Sequence, residues 1–244
     1  MKSYWRIALV LLTAAAIPIL SVRVQAAKEQ IELDDAQIFF EENATDGDLG
    51  LQFFFDGEGW QSISILDANG KKMVNIKVGG SAKLIGLTEV FSESSEPSFD
   101  ELPRDEFLAL FPPGEYTIIG KTVEGATLVG EATLTHDLPA APVITAPAAG
   151  AEVDPDDPLV VTWNLTPNPN PPGSVIEAYQ VIVEKDEEDE RLRVFSVDMA
   201  STDTSVTVPA EFFEPGKNYK VELIAVETSG NKTISERTFS TEAP

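Results

Sequence analysis

Acidic side chains are the most numerous groups in this sequence that could do chemistry. The 244 residues include 41 Asp and Glu, against 17 Lys and Arg, one His and no Cys. Carboxylates on loops suit Ca²⁺, because this cation takes hard oxygen ligands. Two clusters therefore predict candidate calcium sites, although neither has the spacing of an EF-hand. They are Asp46 and Asp48, which follow Glu41, Glu42 and Asn43, and Asp154, Asp156 and Asp157, near the expected domain junction. The alternative interpretation is that both clusters are solvated acidic loops.

Several other chemistries are excluded by the residues that the sequence lacks. Disulfides, thiolate zinc sites and Cys nucleophiles need cysteine, and histidine-rich zinc sites need more than one His. His136 is the sole imidazole, and no nucleophile elbow lies beside it. We expect an exposed histidine at a strand end rather than the base of a Ser-His-Asp triad. A formal charge of -24 disfavours nucleic acid phosphates. We therefore predict that the protein is not an enzyme and binds no nucleic acid.

Paired carboxylates leave one catalytic alternative, because glycoside hydrolases use two of them. Close pairs are expected by abundance alone among 41 acids, and a sugar site also needs exposed aromatic rings. Trp60 follows the residues Asp-Gly-Glu-Gly, which predict an exposed loop. The alternative is thus an accessory sugar-binding or carbohydrate-active protein that uses Trp60 and loop acids.

The N-terminal segment has the three-part pattern of a secretory signal. A short start with two basic residues precedes the mostly apolar run Ile7–Leu20, and Val24-Gln25-Ala26 places small residues where a signal peptidase cleaves. The apolar run is short against the roughly 20 residues that cross a bilayer. We predict a signal peptide over residues 1–27, cleaved near Ala26 or Ala27, and no membrane span in the mature chain. Without cysteine, the mature chain is expected to be bacterial and periplasmic or secreted.

Short alternating apolar runs, separated by Gly, Pro, Asn and Asp, predict an all-β mature chain. Hairpins are expected over residues 61–78, turning at Asn69-Gly70, and over 116–134, turning at Glu124-Gly125. One segment differs. Pro103 is followed by acids and then by apolar residues at spacing three and four, which predicts a short helix within residues 98–111.

A proline-rich stretch at residues 138–142 predicts a short, stiff connection between two domains. The first domain is expected over residues 28–138 and the second over residues 139–244. Both lengths are ordinary for domains, and both domains carry an excess of acid.

The second domain contains three aromatic landmarks. Trp163 lies in its predicted second strand, Tyr179 in its third, and the turn Glu214-Pro215-Gly216 precedes Tyr219. These features resemble the fibronectin type III family, in which the last of these tyrosines ties down the turn as a tyrosine corner. The resemblance covers nearly all of residues 139–244 and implies a β-sandwich. It departs from the family in a longer loop over residues 166–173.

The first domain shares one of these landmarks, since Pro113-Gly114 precedes Tyr116. This echo resembles an immunoglobulin-like sandwich only weakly, and two unrelated β domains that share a turn would also explain it. The predicted fold is therefore two tandem β-sandwiches, the first with one short helix and the second fibronectin type III-like.

Together these patterns favour a non-catalytic, exported binding or scaffold protein that presents sandwich loops to an extracytoplasmic protein or glycan. Two alternatives stay open, namely the sugar-binding or carbohydrate-active protein that uses Trp60, and a spacer stiffened by calcium. Function does not follow from a sandwich fold alone, because such domains have many unrelated roles.

Overall fold

The computed structural model describes residues 29–168, 174–186 and 194–244, so the predicted signal peptide lies outside the described residues. The described chain is mostly β-sheet, with one α-helix and two 3₁₀ segments. The strands of the first half are β1 (Gln30–Glu32), β2 (Asp35–Asn43), β3 (Asp48–Leu66), β4 (Lys72–Lys77), β5 (Leu87–Glu93), β6 (Gly114–Thr122) and β7 (Thr127–Leu134), with helix α1 (Arg104–Leu110) between β5 and β6. Those of the second half are β8 (Val143–Ala146), β9 (Glu152–Val153), β10 (Leu159–Asn164), β11 (Ile176–Lys185), β12 (Val194–Ala200), β13 (Ser205–Val208), β14 (Asn218–Glu227) and β15 (Lys232–Thr241).

The long strand β3 belongs to both layers of the N-terminal sandwich. Its first half pairs with β2 on one side and with β5 on the other. Its second half pairs with β4 and β6, and β7 and β1 continue that layer. Between the halves the register shifts at residues 57–59, as expected of a bulge that redirects a strand. The side chains between the layers form a core that includes Phe40, Phe55, Trp60, Ile63 and Tyr116.

The predicted hairpins and the predicted helix of this half are confirmed. Strand β3 pairs with β4 across a turn at Gly70, which has a φ of 75°, and β6 pairs with β7. Helix α1 buries Phe107 and Leu108. It is also joined to β2, because Arg104 Nε donates to Glu42 Oε2 at 2.7 Å.

The prediction of an exposed loop before Trp60 is wrong, because residues 48–66 form one strand. The glycines that suggested a loop lie in the bulge and allow close packing there. A Cβ on Gly57 would lie 2.9 Å from the Leu33 side chain, and one on Gly59 would lie 3.1 Å from the carbonyl oxygen of Ile85. Glycine thus marks a close approach within the strand, and not its end.

The C-terminal sandwich has a second core between two sheets. One sheet has the order β13-β10-β8, and the other contains β12-β11-β14-β15, with β9 beside the end of β15. The core between them includes Trp163, Tyr179, Val181, Tyr219 and Phe239. The rings of Trp163 and Tyr179 lie 5.7 Å apart, and those of Tyr219 and Phe239 are stacked at 5.5 Å.

A tyrosine fixes the turn before a strand in each sandwich. The backbone N–H of Glu214 donates to Tyr219 Oη at 2.8 Å, which confirms the predicted tyrosine corner. In the N-terminal sandwich, Tyr116 Oη donates to the carbonyl of Pro112 at 3.1 Å. Burial raises the pKa of Tyr116 to about 12, and the negative charge of Asp67 adds to this increase.

The two sandwiches share one sheet, which the sequence did not predict. Strand β2 pairs in parallel with β15, with Glu41 opposite Lys232 and Asn43 opposite Ile234. The connection between the sandwiches is also fixed, because Leu138 is buried in the first core. The described residues contain no helix with the length and apolar character of a membrane span.

Candidate binding surface across the domain junction

The pairing of β2 with β15 creates one continuous sheet surface that crosses both sandwiches. Seven strands are hydrogen-bonded in the order β5-β3-β2-β15-β14-β11-β12. Alternate side chains of these strands fill the two cores, so the intervening ones share the opposite side. We call the side chains that lie on this opposite side of β5, β3, β2, β15 and β14 the junction face. It includes Glu93, Gln52, Phe39, Glu41, Lys232, Glu236, Lys220 and Glu222.

Behind this face, a buried amide holds the two sandwiches together. Asn231, in the turn just before β15, is fully buried. Its Oδ1 accepts the backbone N–H of Phe40 at 2.8 Å, and its Nδ2 donates to Thr135 Oγ1 at 2.9 Å. Thr233 adds a bond from its hydroxyl to the carbonyl of Pro139 at 2.8 Å. The turn between β14 and β15 is therefore bonded both to strand β2 and to the connection between the sandwiches.

A buried carboxylate organises the same turn. Glu227 has no exposed surface, and its Oε2 accepts the backbone N–H of Ser229 at 3.0 Å. The Ser229 hydroxyl bonds both to Glu227 Oε1 and to Thr135 Oγ1, the latter at 2.7 Å. Burial of a polar group costs free energy unless hydrogen bonds replace its lost hydration. These bonds compensate Glu227 and fix the turn that carries Asn231.

Three glutamates meet on the junction face. Carboxylate oxygens of Glu41, Glu93 and Glu96 lie within 4.8 Å of one another, and we call them the glutamate group. Gln52 Nε2 donates to Glu93 Oε1 at 2.8 Å. Glu96 lies against Gly50, since a Cβ there would be 2.9 Å from Glu96 Oε1. The group therefore brings together acidic side chains of β2, β5 and the segment that follows β5.

Two lysines neutralise part of this face. Lys220 Nζ lies 2.6 Å from Glu222 and 3.4 Å from Glu236. These carboxylates raise the pKa of Lys220 despite its burial. Lys232 Nζ lies 3.8 Å from Glu41 and 4.6 Å above the centre of the Phe39 ring. Both lysines lie on β14 and β15. The negative charge on the β5 side of the junction face is therefore less neutralised by nearby cations.

Burial and mutual repulsion raise the pKa values of the acids on this side. The pKa of Glu96 is raised to about 7, first by burial and then by Glu93, Asp48 and Glu41. Burial also raises the pKa of Glu41, against the opposing effect of Lys232. The pKa of Asp48 is raised by burial and by Asp46 and Glu236.

These shifts predict a pH dependence of stability. A Glu whose pKa is higher in the folded state than its ordinary 4.5 binds its proton more tightly when folded. Its contribution to stability is complete below pH 4.5 and is lost as the pH rises through about 7. We expect the free energy of unfolding to fall over this range in the parent protein and less in Glu96→Gln, measured by urea unfolding at low salt. The carboxyl group of Glu96 is only partly desolvated against the sheet and stays accessible to solvent, so added salt should reduce the difference.

A matched control for this experiment is Glu124→Gln, an exposed acid in the turn between β6 and β7. It should keep the pH dependence of the parent protein. An unchanged pH profile in Glu96→Gln would contradict the prediction.

The predicted calcium-site residues lie in two separate places. Asp48 lies near the glutamate group, since its charge raises the pKa of Glu96, and Asp46 lies near Asp48, whose pKa it raises. Asp48 Oδ1 is buried without a hydrogen-bond partner among the described residues. The described part of the chain brings three carboxylates together only in the glutamate group, and none of the five predicted aspartates belongs to it. Calcium binding stays a prediction.

The other predicted cluster, Asp154, Asp156 and Asp157, is far from the junction, and its predicted position was wrong. Strand β9, just before it, pairs with Ser240 and Thr241, whereas the junction uses residues 232–234 of β15. Seven residues of strand separate these points by about 23 Å. Asp154 instead stabilises its own turn, because its Oδ1 accepts the N–H of Asp156 at 2.9 Å.

Trp60, the predicted sugar-binding residue, is fully buried in the N-terminal core. It pairs with Leu87 and Thr122 in neighbouring strands and presents no ring surface on which a sugar could stack. The expectation of an exposed tryptophan is therefore corrected.

His136 is half-buried, and the expectation of an exposed histidine was wrong. Its Nε2 is hydrogen-bonded to the carbonyl of Phe111 at 2.8 Å, and its ring meets the Phe40 ring edge-on at 5.7 Å. These contacts join the connection between the sandwiches to the end of α1. The residue thus has structural contacts within the fold.

The family comparison decides the identity of the second sandwich. The model of the family described as fibronectin type III domain matches residues 147–241. Residues 147–241 form a fibronectin type III domain. No curated protein sequence matches the chain.

The solved structures that are similar to this chain include two sets of fibronectin modules and a redesigned β-sandwich protein. The fibronectin(III)-like modules of Clostridium thermocellum CbhA are 9% identical over 86% of this chain and 93% of that chain, with a TM-score of 0.37. The FN1-FN3 domains of chicken CNTN1 are 13% identical over 88% of this chain and 66% of theirs, with a TM-score of 0.36. A computationally redesigned β-sandwich protein is 22% identical over 43% of this chain and 96% of its own, with a TM-score of 0.29.

The turn between the last two strands of the type III domain forms part of the junction between the sandwiches. Residues 228–231 contact β2 and the connection between the sandwiches. That turn is consequently not available as a presented loop. The residues that form the junction, Glu227 and Asn231, were not recognised from the sequence, because a short polar turn has the same composition whether it is buried or exposed.

Proposed function

We propose that this chain is a non-catalytic, exported binding or scaffold protein that presents a composite surface to an extracytoplasmic protein or glycan. Fibronectin type III domains are commonly non-catalytic modules that bind proteins or act as scaffolds. The observation that carries the proposal is the parallel pairing of β2 with β15. It joins a type III domain to a second sandwich, so that strands of both form one continuous sheet surface.

The charge of the chain supports a partner with positive groups. The formal net charge is -24, and Glu41, Glu93 and Glu96 concentrate part of it beside the junction. Clustered charge of one sign attracts an oppositely charged partner and speeds its association. We therefore place the binding surface on the junction face rather than on the loops that the sequence suggested.

Site-specific photo-crosslinking in the native host tests this proposal. A photoreactive residue at Thr238, exposed on β15, would be compared with one at Asn69, at the tip of the β3–β4 turn. We expect a defined adduct from position 238 only, on a chain whose mass shows cleavage near Ala26 or Ala27. A chain that keeps residues 1–27, or equal adducts from both positions, would contradict the proposal.

A calcium-stiffened spacer is the second candidate, and the glutamate group is the observation that favours it. Three carboxylates within 4.8 Å offer the oxygen ligands that Ca²⁺ takes. Sites with few protein ligands bind calcium only at millimolar concentrations. At a calcium concentration equal to the Kd, the gain in stability is about 0.4 kcal/mol.

For this candidate we expect millimolar calcium, compared with EDTA, to raise the melting temperature by about 1–2 °C. The double variant Glu93→Gln/Glu96→Gln should remove the increase. The control Asp154→Asn/Asp156→Asn changes the distant turn and should keep it. An increase that survives the loss of Glu93 and Glu96 would show that the calcium site lies elsewhere, and an increase well above about 2 °C would contradict the expected weak binding.

A further inference from the structure

Strand β5 forms one end of the seven-stranded sheet, and its outer edge is unpaired among the described residues. The N–H of Ser94 donates to the carbonyl of Leu51 at 2.9 Å. In an antiparallel pair, residues alternate between facing the partner strand and facing away. The backbone groups of Glu89, Phe91 and Glu93 therefore point toward the open edge, where they can hydrogen-bond to an added strand.

Exposed apolar side chains are concentrated in β5 and in the segment just before it. The described residues contain eleven large hydrophobic side chains that are exposed, and four of them fall within residues 84–91. They are Leu84, Ile85, Leu87 and Phe91. Phe91 is 58% exposed, on the same side of the sheet as Glu89 and Glu93. Grouped exposed apolar residues are typical of interaction sites.

The charge of this edge selects the kind of strand that could pair with it. Glu89 lies opposite Asp56, and Glu93 belongs to the glutamate group. Ion pairs of the described residues include neither Glu89 nor Glu93. A second copy paired antiparallel about Phe91 would place Glu89 opposite Glu93, and like charges in that position are destabilising. The edge therefore disfavours self-association and favours a basic partner.

We propose that the open edge of β5 binds an extended segment of a partner protein as an added antiparallel strand. The segment carries Lys or Arg opposite Glu89 and Glu93, and an apolar residue opposite Phe91. The backbone hydrogen bonds supply affinity, and the alternate side chains supply specificity. This inference rests on the proposed binding role and specifies the chemistry of the partner.

A peptide titration of the folded protein tests the inference. The probe is the capped peptide Thr-Lys-Thr-Val-Thr-Lys-Thr, followed by shifts of the backbone N–H signals in NMR at low salt. We expect the largest shifts at Glu89, Phe91 and Glu93. The same peptide with Glu in place of Lys should not bind. The variant Glu89→Lys/Glu93→Lys should weaken binding by roughly ten-fold, because two attractive pairs become repulsive.

Two N-methylated peptides give a test that does not change the protein. The N–H of the central Val faces β5 in the proposed pairing, whereas the N–H of the neighbouring Thr faces away. Methylation of the Val nitrogen should abolish binding, and methylation of the Thr nitrogen should preserve it. Equal effects of the two methyl groups, or equal binding of the Glu peptide, would overturn the inference.

Sedimentation of the protein alone completes the test. A dimer that Phe91→Lys dissociates would assign the edge to a second copy and overturn the inference; a monomer supports it. The proposed function can fail separately. Adducts from position 238 without peptide binding at β5 would retain the binding role and reject this edge as its site.

Discussion

Replacement of Trp60 by alanine is expected to lower the free energy of unfolding of the N-terminal sandwich by about 3–5 kcal/mol. Trp60 is fully buried where the bulge of β3 meets the core. Removal of its ring would leave a cavity among closely packed side chains, and the surrounding core can close such a cavity only in part. Urea unfolding followed by circular dichroism measures the change, and the fluorescence of Trp163 reports separately on the C-terminal sandwich.

Trp60→Phe is the control that retains most of the buried ring, and its cost should be clearly smaller. The same experiment separates the structural role from sugar binding. A Trp60→Ala variant with the stability of the parent protein but with loss of binding to a glycan would restore the sugar-binding alternative. If the parent protein binds no glycan, that alternative has no support from Trp60.

Replacement of Asn231 by alanine is expected to cost about 2–4 kcal/mol, because it removes bonds to both sandwiches at once. The N–H of Phe40 and the groups of Thr135 would lose their amide partner in a buried place. Each buried polar group without a partner costs about 1–3 kcal/mol. We expect the unfolding midpoint in urea to fall accordingly.

The loss should also loosen the junction. The chain has no cysteine, so spin labels can be placed at two introduced cysteines, Asn69→Cys and Thr202→Cys, which are exposed positions in different sandwiches. We expect one narrow distance distribution in the parent background and a broader one with Asn231→Ala.

Asn43→Ala is the matched control for the junction. Its amide also reaches the other sandwich, with Nδ2 2.9 Å from Glu236 Oε1, but both groups are partly exposed. Asn43 Oδ1 also accepts the N–H groups of Thr45 and Asp46 in an exposed turn. Water can replace these bonds, so the cost should be about 1 kcal/mol. Equal costs for Asn43→Ala and Asn231→Ala, or an unchanged distance distribution, would contradict the role of the buried amide.

Local patterns predicted the elements because each one is determined by neighbours in sequence. Alternation predicted β4, β6 and β7, and Pro103 with the residues after it predicted α1. The tyrosine corner at Tyr219 follows from a turn and a strand that are adjacent in the chain. Trp60 was misplaced because a glycine in a strand and a glycine in a loop look alike until the packed neighbours, here Leu33 and Ile85, are known.

The junction and the glutamate group could not be predicted, because they join residues that are far apart in sequence. Phe40 and Asn231 are 191 positions apart, and Glu41 lies in a different strand from Glu93. An edge strand carries no local signal for the strand of another domain that will pair with it. The sequence therefore showed the number of acidic residues, and the structure shows which of them lie close together.

The parallel pairing of β2 with β15 also affects the order in which the molecule can be completed during synthesis. At about 5–20 residues per second, the 191 positions between Phe40 and Asn231 take roughly 10–40 s to produce. Throughout that interval the outer edge of β2 has no partner at residues 41–43. The nascent N-terminal sandwich thus has an unpaired strand edge. Unpaired edges of this kind make folding intermediates prone to aggregation. Its glutamates at positions 41 and 42 repel other nascent chains until the type III domain arrives.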